Sequence, residues 1–344
     1  MSITDRGKFP APGTFWPVKA QLLGAALLAA IVLAQAQPAS AHGGDGGASS
    51  DYRIEVTGFD GDPSGIDLRP VELGDRMELV RTTAEDVQIL GYEGEPYIRL
   101  DASGIYENVN SPAHYINLDR FARQPTPASA SAEAEPSWSK LSSGTSVRWH
   151  DHRTHWMDLT PREDVRRQPD VERVIFPANR VELLVDGRPT AAIVKVTWLP
   201  PPSRMTWLLI TSLVGCLLLA ALVLIPSVRG LAPMFAWLSG VAVVVGSGSS
   251  LMRVIVGAVA VALCLAGWVL KNRWLPVAAA SIVVVLAVSH FEVFEHQLLA
   301  GWAHAVVQRV AITLALALSA AVVGNELVAG LGATKAVEPA VVEL

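Results

Sequence analysis

Three histidines within six residues are the first feature of this 344-residue chain that could do chemistry. They lie in "SVRWHDHRTHWMDL", residues 146–159, as His150, His152 and His155. The whole chain has only eight histidines. On a β-strand, residues two apart point to the same face, with side-chain origins less than ~7 Å apart. His150 and His152 at that spacing can hold one metal ion between two imidazoles, and imidazole suits Cu, Zn, Ni and Fe. His155 would face the other way on a continuous strand; it joins the pair only if the chain turns near Arg153-Thr154. Asp151 could orient a ligand histidine through its second ring nitrogen. Met157 is a soft-ligand candidate, although a lone Met usually packs. A structural role competes. The rings, flanked by Trp149 and Trp156, would then be buried and hydrogen-bonded by neighbours, or paired with surplus carboxylates.

A second candidate stands at the start of the exported chain. Arg6, Lys8 and Lys19 precede an apolar run of about 14 residues at 21–34, and Ala39 and Ala41 then form a small-x-small site. Residues 1–41 therefore read as a cleaved signal peptide, which leaves His42 as the mature N-terminus. An N-terminal histidine chelates through its amine and its ring, the histidine-brace arrangement that suits copper. At this one point the chain resembles secreted copper carriers and the B subunit of membrane-bound copper monooxygenases. The latter also carry a His-x-His pair on an exported β-domain. The glycine-rich arm 42–50, "HGGDGGASS", is flexible enough to bring His42 to the pair or to leave it in solvent.

A third group is "SHFEVFEHQLLAGWAH", 289–304. Glu292 and His296 are four apart, on one face if helical, with His290, Glu295 and His304 nearby. Such a cluster at a membrane face could bind a metal or relay protons; it equally fits a solvated turn at the edge of the hydrocarbon.

Composition removes other chemistries. The only cysteines, Cys216 and Cys264, fall inside apolar runs. The exported domain therefore has no disulfide, zinc-thiolate site, cysteine nucleophile or blue-copper site. No nucleophile elbow, phosphate loop, dinucleotide fingerprint or HExxH motif occurs, so the chain points away from an enzyme. Residues 42–204 hold 26 Asp and Glu against 18 Lys and Arg, so a nucleic-acid partner is not expected. "DGDPSG" at 60–65 reads as a turn, the EF-hand pattern being absent.

The elements that must position these residues form two regions. From 51 to 201, alternating stretches such as 52–59, 76–83, 87–92, 96–101 and 113–118 read as strands separated by turns. Asp186-Gly187 between two β-rich runs reads as a tight hairpin. An antiparallel β-sandwich of about seven to nine strands is expected, Ig- or cupredoxin-like in architecture. Residues 123–144 and 160–173 read as surface loops on either side of the histidine stretch. Tyr92, Tyr97, Tyr106 and Tyr115, interleaved with Glu93, Glu95 and Glu107, read mainly as rings capping the core with wet hydroxyls.

From 205 to 330 the chain is mostly Leu, Val, Ala, Ile and Gly. It reads as an α-helical membrane bundle of about five spans, near 206–226, 231–248, 251–270, 275–290 and 305–327, of which the second and fourth are least secure. Trp207, Trp268, Trp274 and Trp302 lie near span ends. With the β-domain extracytoplasmic, Arg229, Lys271, Arg273 and Lys335 fall on the cytoplasmic side with the tail 331–344, in line with the positive-inside rule. The spans carry almost no charge, against an ion-coupled transporter.

"GYEGEPYIR", "GIYENVNSPAHYIN" and "WHDHRTHWM" together resemble a family of uncharacterised exported membrane proteins from actinobacteria. The resemblance covers roughly residues 50–200 and the arrangement of the helices behind. It implies this architecture and carries no activity to transfer. The chain is thus expected to be a multi-pass cell-membrane protein that handles a transition metal outside the cytoplasm, copper favoured. The alternative is a non-catalytic envelope protein that binds another protein or a glycan, with structural histidines. A copper-dependent oxidase is a weaker third, having candidate ligands and no recognisable substrate pocket. The expected partners are the lipid bilayer and an envelope or membrane protein.

Overall fold

The computed structural model describes residues 49–246, 248 and 251–335. The expected signal peptide, His42, the arm up to residue 48 and the last nine residues lie outside these. The described chain forms two compact units, one of residues up to Ser203 together with Glu292–Ala305, the other of Arg204–Phe291 and the residues from Val306 onward.

The first unit is β-rich. Its strands are β1 (Ser49–Ser50), β2 (Tyr52–Asp60), β3 (Ile66–Val71), β4 (Arg76–Arg81), β5 (Val87–Leu90), β6 (Pro96–Asp101), β7 (Gly104–Asn108), β8 (Trp138–Ser142), β9 (Ser146–Trp149), β10 (Arg173–Val185), β11 (Arg188–Trp198) and β12 (Leu298–Leu299). A seven-stranded sheet has the order β2-β11-β10-β5-β6-β7-β8, a three-stranded sheet the order β3-β4-β9, and β1 pairs with β12. Every pairing is antiparallel.

The period-2 pattern explains the burial. On β10, Val181, Leu183 and Val185 are buried while their neighbours are not. One apolar cluster draws Leu68, Met77, Leu79, Val147 and Trp149 from the smaller sheet, and Ile54, Ile89, Ile98 and Leu183 from the larger. Asp186 and Gly187 connect β10 to β11 with φ of 49° and 72°, the paired left-handed conformation of a tight hairpin turn.

Three local expectations change. Residues 113–118 are not a strand: Pro112–Ile116 is a short helix, with Ser111 accepting from the Ala113 amide and proline in the first turn. The presumed loop 123–144 contains β8, an edge strand against β7 whose residues are mostly exposed, which gives it a loop-like polar composition. Between 160 and 173 lies the short helix Glu163–Arg167, anchored by buried Val165.

The second unit is helical: α1 (Arg204–Leu224), α2 (Ala232–Gly246), α3 (Leu251–Val269), α4 (Trp274–Val288) and α5 (Ala305–Lys335). Among the described residues, α1, α3 and α5 are long and apolar enough to cross a membrane, while α2 and α4 are apolar but shorter. Small residues set the packing. Thr211 and Gly215 of α1 meet Thr313 and Ala317 of α5, and Leu219 meets Gly324. Both numbers rise together, so α1 and α5 run parallel. Gly240 of α2 meets Val261 of α3 while Val243 meets Gly257, so that pair runs antiparallel.

Candidate metal centre

β9 delivers the histidine stretch. Trp149 ends the strand opposite Met77 and is buried. The extended run then stops, because Asp151 caps a turn. Its carboxylate accepts from the Arg153 amide, and its carbonyl accepts from the Thr154 amide and hydroxyl at 3.0 and 2.8 Å. Residues 152–154 form one 3₁₀ turn. His150 and His152 therefore do not share a strand face. The turn at Arg153-Thr154 instead swings His155 back to the other two.

The three rings converge. Ring centroids are 4.9 Å apart for His150–His152, 4.4 Å for His150–His155 and 5.4 Å for His152–His155. One nitrogen from each lies within 4.8 Å of the others, and among the described residues this is the one such group of three. His155 is 2 % exposed, and His150 and His152 are partly open.

Each ring spends its other nitrogen on a backbone carbonyl. His150 Nδ1 lies 2.7 Å from the Asp75 carbonyl, His155 Nδ1 3.1 Å from that of Trp156, and His152 Nε2 3.0 Å from that of Asp119. A carbonyl only accepts, so each of these nitrogens carries the proton. That fixes the tautomers and leaves Nε2 of His150, Nε2 of His155 and Nδ1 of His152 with lone pairs. Histidines that bind metals are typically held this way, the far N–H donating to a carbonyl or carboxylate.

The electrostatics favour neutral rings. Burial lowers the pKa of His150, against the pull of Asp75. Burial and the adjacent His150 lower that of His152. Burial, then His150, pushes His155 down to about 3. Yet His150 Nε2 and His155 Nε2 lie 2.7 Å apart. With both Nδ1 protons committed to carbonyls, two lone pairs face each other at hydrogen-bond distance. Either a tautomer switch on one ring or a cation between the two resolves that conflict. Metal–nitrogen bonds of about 2.0–2.1 Å at a tetrahedral angle place two ligand nitrogens ~3.3 Å apart. This pair would open by ~0.6 Å and the wider separations would close.

Asp151 does not orient a histidine. Its buried carboxylate takes Arg153 Nη2 at 2.7 Å and Trp149 Nε1 at 3.0 Å. Trp156 donates to the Thr160 carbonyl and packs against Phe176. Two histidines of 289–304 have separate partners. His290 belongs to the helical unit, where its Nδ1 accepts from Arg253 at 2.7 Å. His296 belongs to the β unit, where its Nδ1 pairs with Asp51 at 2.9 Å. Phe291–Phe294 is a 3₁₀ turn, which removes the continuous helical face expected for Glu292 and His296, and His304 follows in the same connection. His42 lies outside the described residues.

The supports of the site were largely invisible to sequence reasoning. Asp75, Asp119 and Trp156 act through their carbonyls, which no residue type announces. Asp75 was findable only through its setting: it follows a turn in which Glu72, Leu73 and Gly74 all have positive φ.

Compared with known proteins, the chain matches no family model, no curated protein and no solved structure.

Proposed function

We propose that this chain is a multi-pass membrane protein whose β unit, its two larger sheets packed as a sandwich, lies outside the cytoplasm and binds one transition-metal ion through His150, His152 and His155. The observation that carries this reading is the convergence of three rings, each with one nitrogen at a backbone carbonyl, so placed that one nitrogen from each lies within 4.8 Å of the others. Copper is the first choice, because divalent affinity at nitrogen sites peaks there and no thiolate or carboxylate completes the group. Three protein ligands leave a further position, for water, cargo or His42. The role is metal handling, and no reaction is assigned.

Five crossings are supported by the helix directions. Parallel α1 and α5 start from one side, so an odd number of crossings lies between them, and antiparallel α2 and α3 fit three, α2, α3 and α4. α2 is about 22 Å long at 1.5 Å per residue, so it would cross a locally thinned bilayer or one with shallow ends.

Titration of the detergent-solubilised full chain with Cu(II) and Zn(II) tests the proposal. One ion per chain is expected, lost in His150→Ala/His152→Ala. An extra residue placed before His42 should weaken copper alone if the N-terminus is a ligand. Equal binding by wild type and the double variant would end the proposal.

A further inference from the structure

The histidines alternate with a buried ion pair, and that pair reaches into the other two distinctive sequence stretches. Arg153 Nη2 and Nε donate to the two Asp151 oxygens at 2.7 and 2.9 Å. The same guanidinium donates to the carbonyls of Leu90 and Gly91 at 3.0 and 3.3 Å, where the β5–β6 register shifts. It lies over the Tyr92 ring, 5.1 Å from its centroid. The Tyr92 hydroxyl accepts from the His152 amide at 3.0 Å and donates to Asn117. Asn179, at the end of a register shift in β10, donates to the Arg153 carbonyl at 2.7 Å. The peptide unit between Asp151 and His152, and the one after Arg153, are therefore pinned from outside the loop.

We infer that Asp151, Arg153 and Tyr92 are positioning residues that preset the three rings and their tautomers before any metal arrives, which as a role in metal binding rests on the function proposed above. A buried charge pair is weak support for stability by itself, since apolar residues of the same volume often serve as well. Its use here is geometric. Arg153 is the one side chain that ties the loop to two carbonyls and to the cap of its own turn. Neither Asp151 nor Tyr92 offers a nitrogen to an ion; Tyr92 holds the His152 amide, and Asp151 holds Arg153 and the turn that returns His155. Positioning partners of this kind typically change metal affinity by about 10–100-fold when removed.

The test uses the full chain with ¹⁵N-labelled histidine. In metal-free wild type, the ring spectra should show His150 and His155 as fixed Nδ1–H tautomers and His152 as a fixed Nε2–H tautomer. In Tyr92→Phe and Arg153→Lys the same rings should exchange between tautomers, and Zn(II) affinity should fall about 10-fold or more, with the unfolding midpoint of Tyr92→Phe staying near wild type. Tyr92→Phe loses only a hydroxyl, so it carries the test if Arg153→Lys fails to fold. Wild-type tautomers and wild-type zinc affinity in a folded variant would overturn the inference, as would exchanging tautomers in wild type. Fixed rings in a wild type that binds no zinc would sink the metal proposal and leave the positioning intact.

Discussion

Replacing His155 by leucine separates a metal centre from a packed histidine cluster. In the metal-free protein, relieving the 2.7 Å Nε2···Nε2 contact by switching one tautomer gives up a hydrogen bond to the Asp75 or Trp156 carbonyl. Such a bond contributes about 0.5–1.5 kcal/mol net, and a buried acceptor left without a donor costs about 1–3 kcal/mol. Leucine removes the conflict, also leaves the Trp156 carbonyl without its ring donor, and buries apolar surface in return, about 1.5–3 kcal/mol for a full side chain. These opposing amounts nearly cancel, so metal-free His155→Leu should lie within about 1–2 kcal/mol of wild type. Metal separates them. At a hundredfold excess over Kd a bound ion stabilises the folded state by about 2.7 kcal/mol, which at about 2–4 °C per kcal/mol for a folding unit of this size raises Tm by about 5–11 °C. The variant should keep less than a third of that shift. Thermal unfolding followed by tryptophan fluorescence, with Zn(II) or with chelator, reads both quantities. A metal-free loss above about 3 kcal/mol, with equal metal shifts in the two proteins, would mean that the ring is a hydrogen-bonded core residue and the reasoning is wrong.

Other outcomes follow from the same contacts. The three site histidines have lowered pKa values when folded, so the unfolded chain takes up protons first; metal-free stability should be full above about pH 6.5 and decline as pH falls toward about 3, the value for His155. A chemical-denaturation series from pH 8 to 5 checks the sign, and a flat profile would count against neutral buried rings. His296 is shifted the other way, raised chiefly by its bond to Asp51. Its pairing is complete below about pH 6.5 and is lost as pH rises through the raised value, so the Gln297 amide, which donates to Asp51 at 2.7 Å, should exchange faster at high pH and at all pH values in Asp51→Asn. In a Cys216→Ser/Cys264→Ser background, single cysteines at Ser227 and Asn272 should react with an impermeant maleimide from the same side, opposite to one at Gly301. Labelling of 227 and 272 from opposite sides would mean three crossings.

What the sequence made legible was periodic or chemical. The two β-rich runs around the Asp186-Gly187 turn and the long apolar runs each follow from one short-range rule, and the folded chain has them. The histidine group was legible as a composition, and the condition for His155, a turn at Arg153-Thr154, is met. Its cause was not legible: Asp151 reads as a ligand's partner until Arg153 and Trp149 are seen to claim its carboxylate. The contacts that finish the site come from residues 75, 92, 117, 119 and 179, brought together by sheet pairing over a hundred positions. The helix Pro112–Ile116 was missed because alternation outweighed the Ser111-Pro112 start signal.

The most direct measurement is X-ray absorption at the metal edge of copper- or zinc-loaded full-length protein, beside His150→Ala/His152→Ala. A wild-type shell of three imidazole nitrogens at about 2.0–2.1 Å, absent from the variant, is the expected result. An oxygen-dominated shell without imidazole scattering, unchanged in the variant, would contradict a metal centre at His150, His152 and His155.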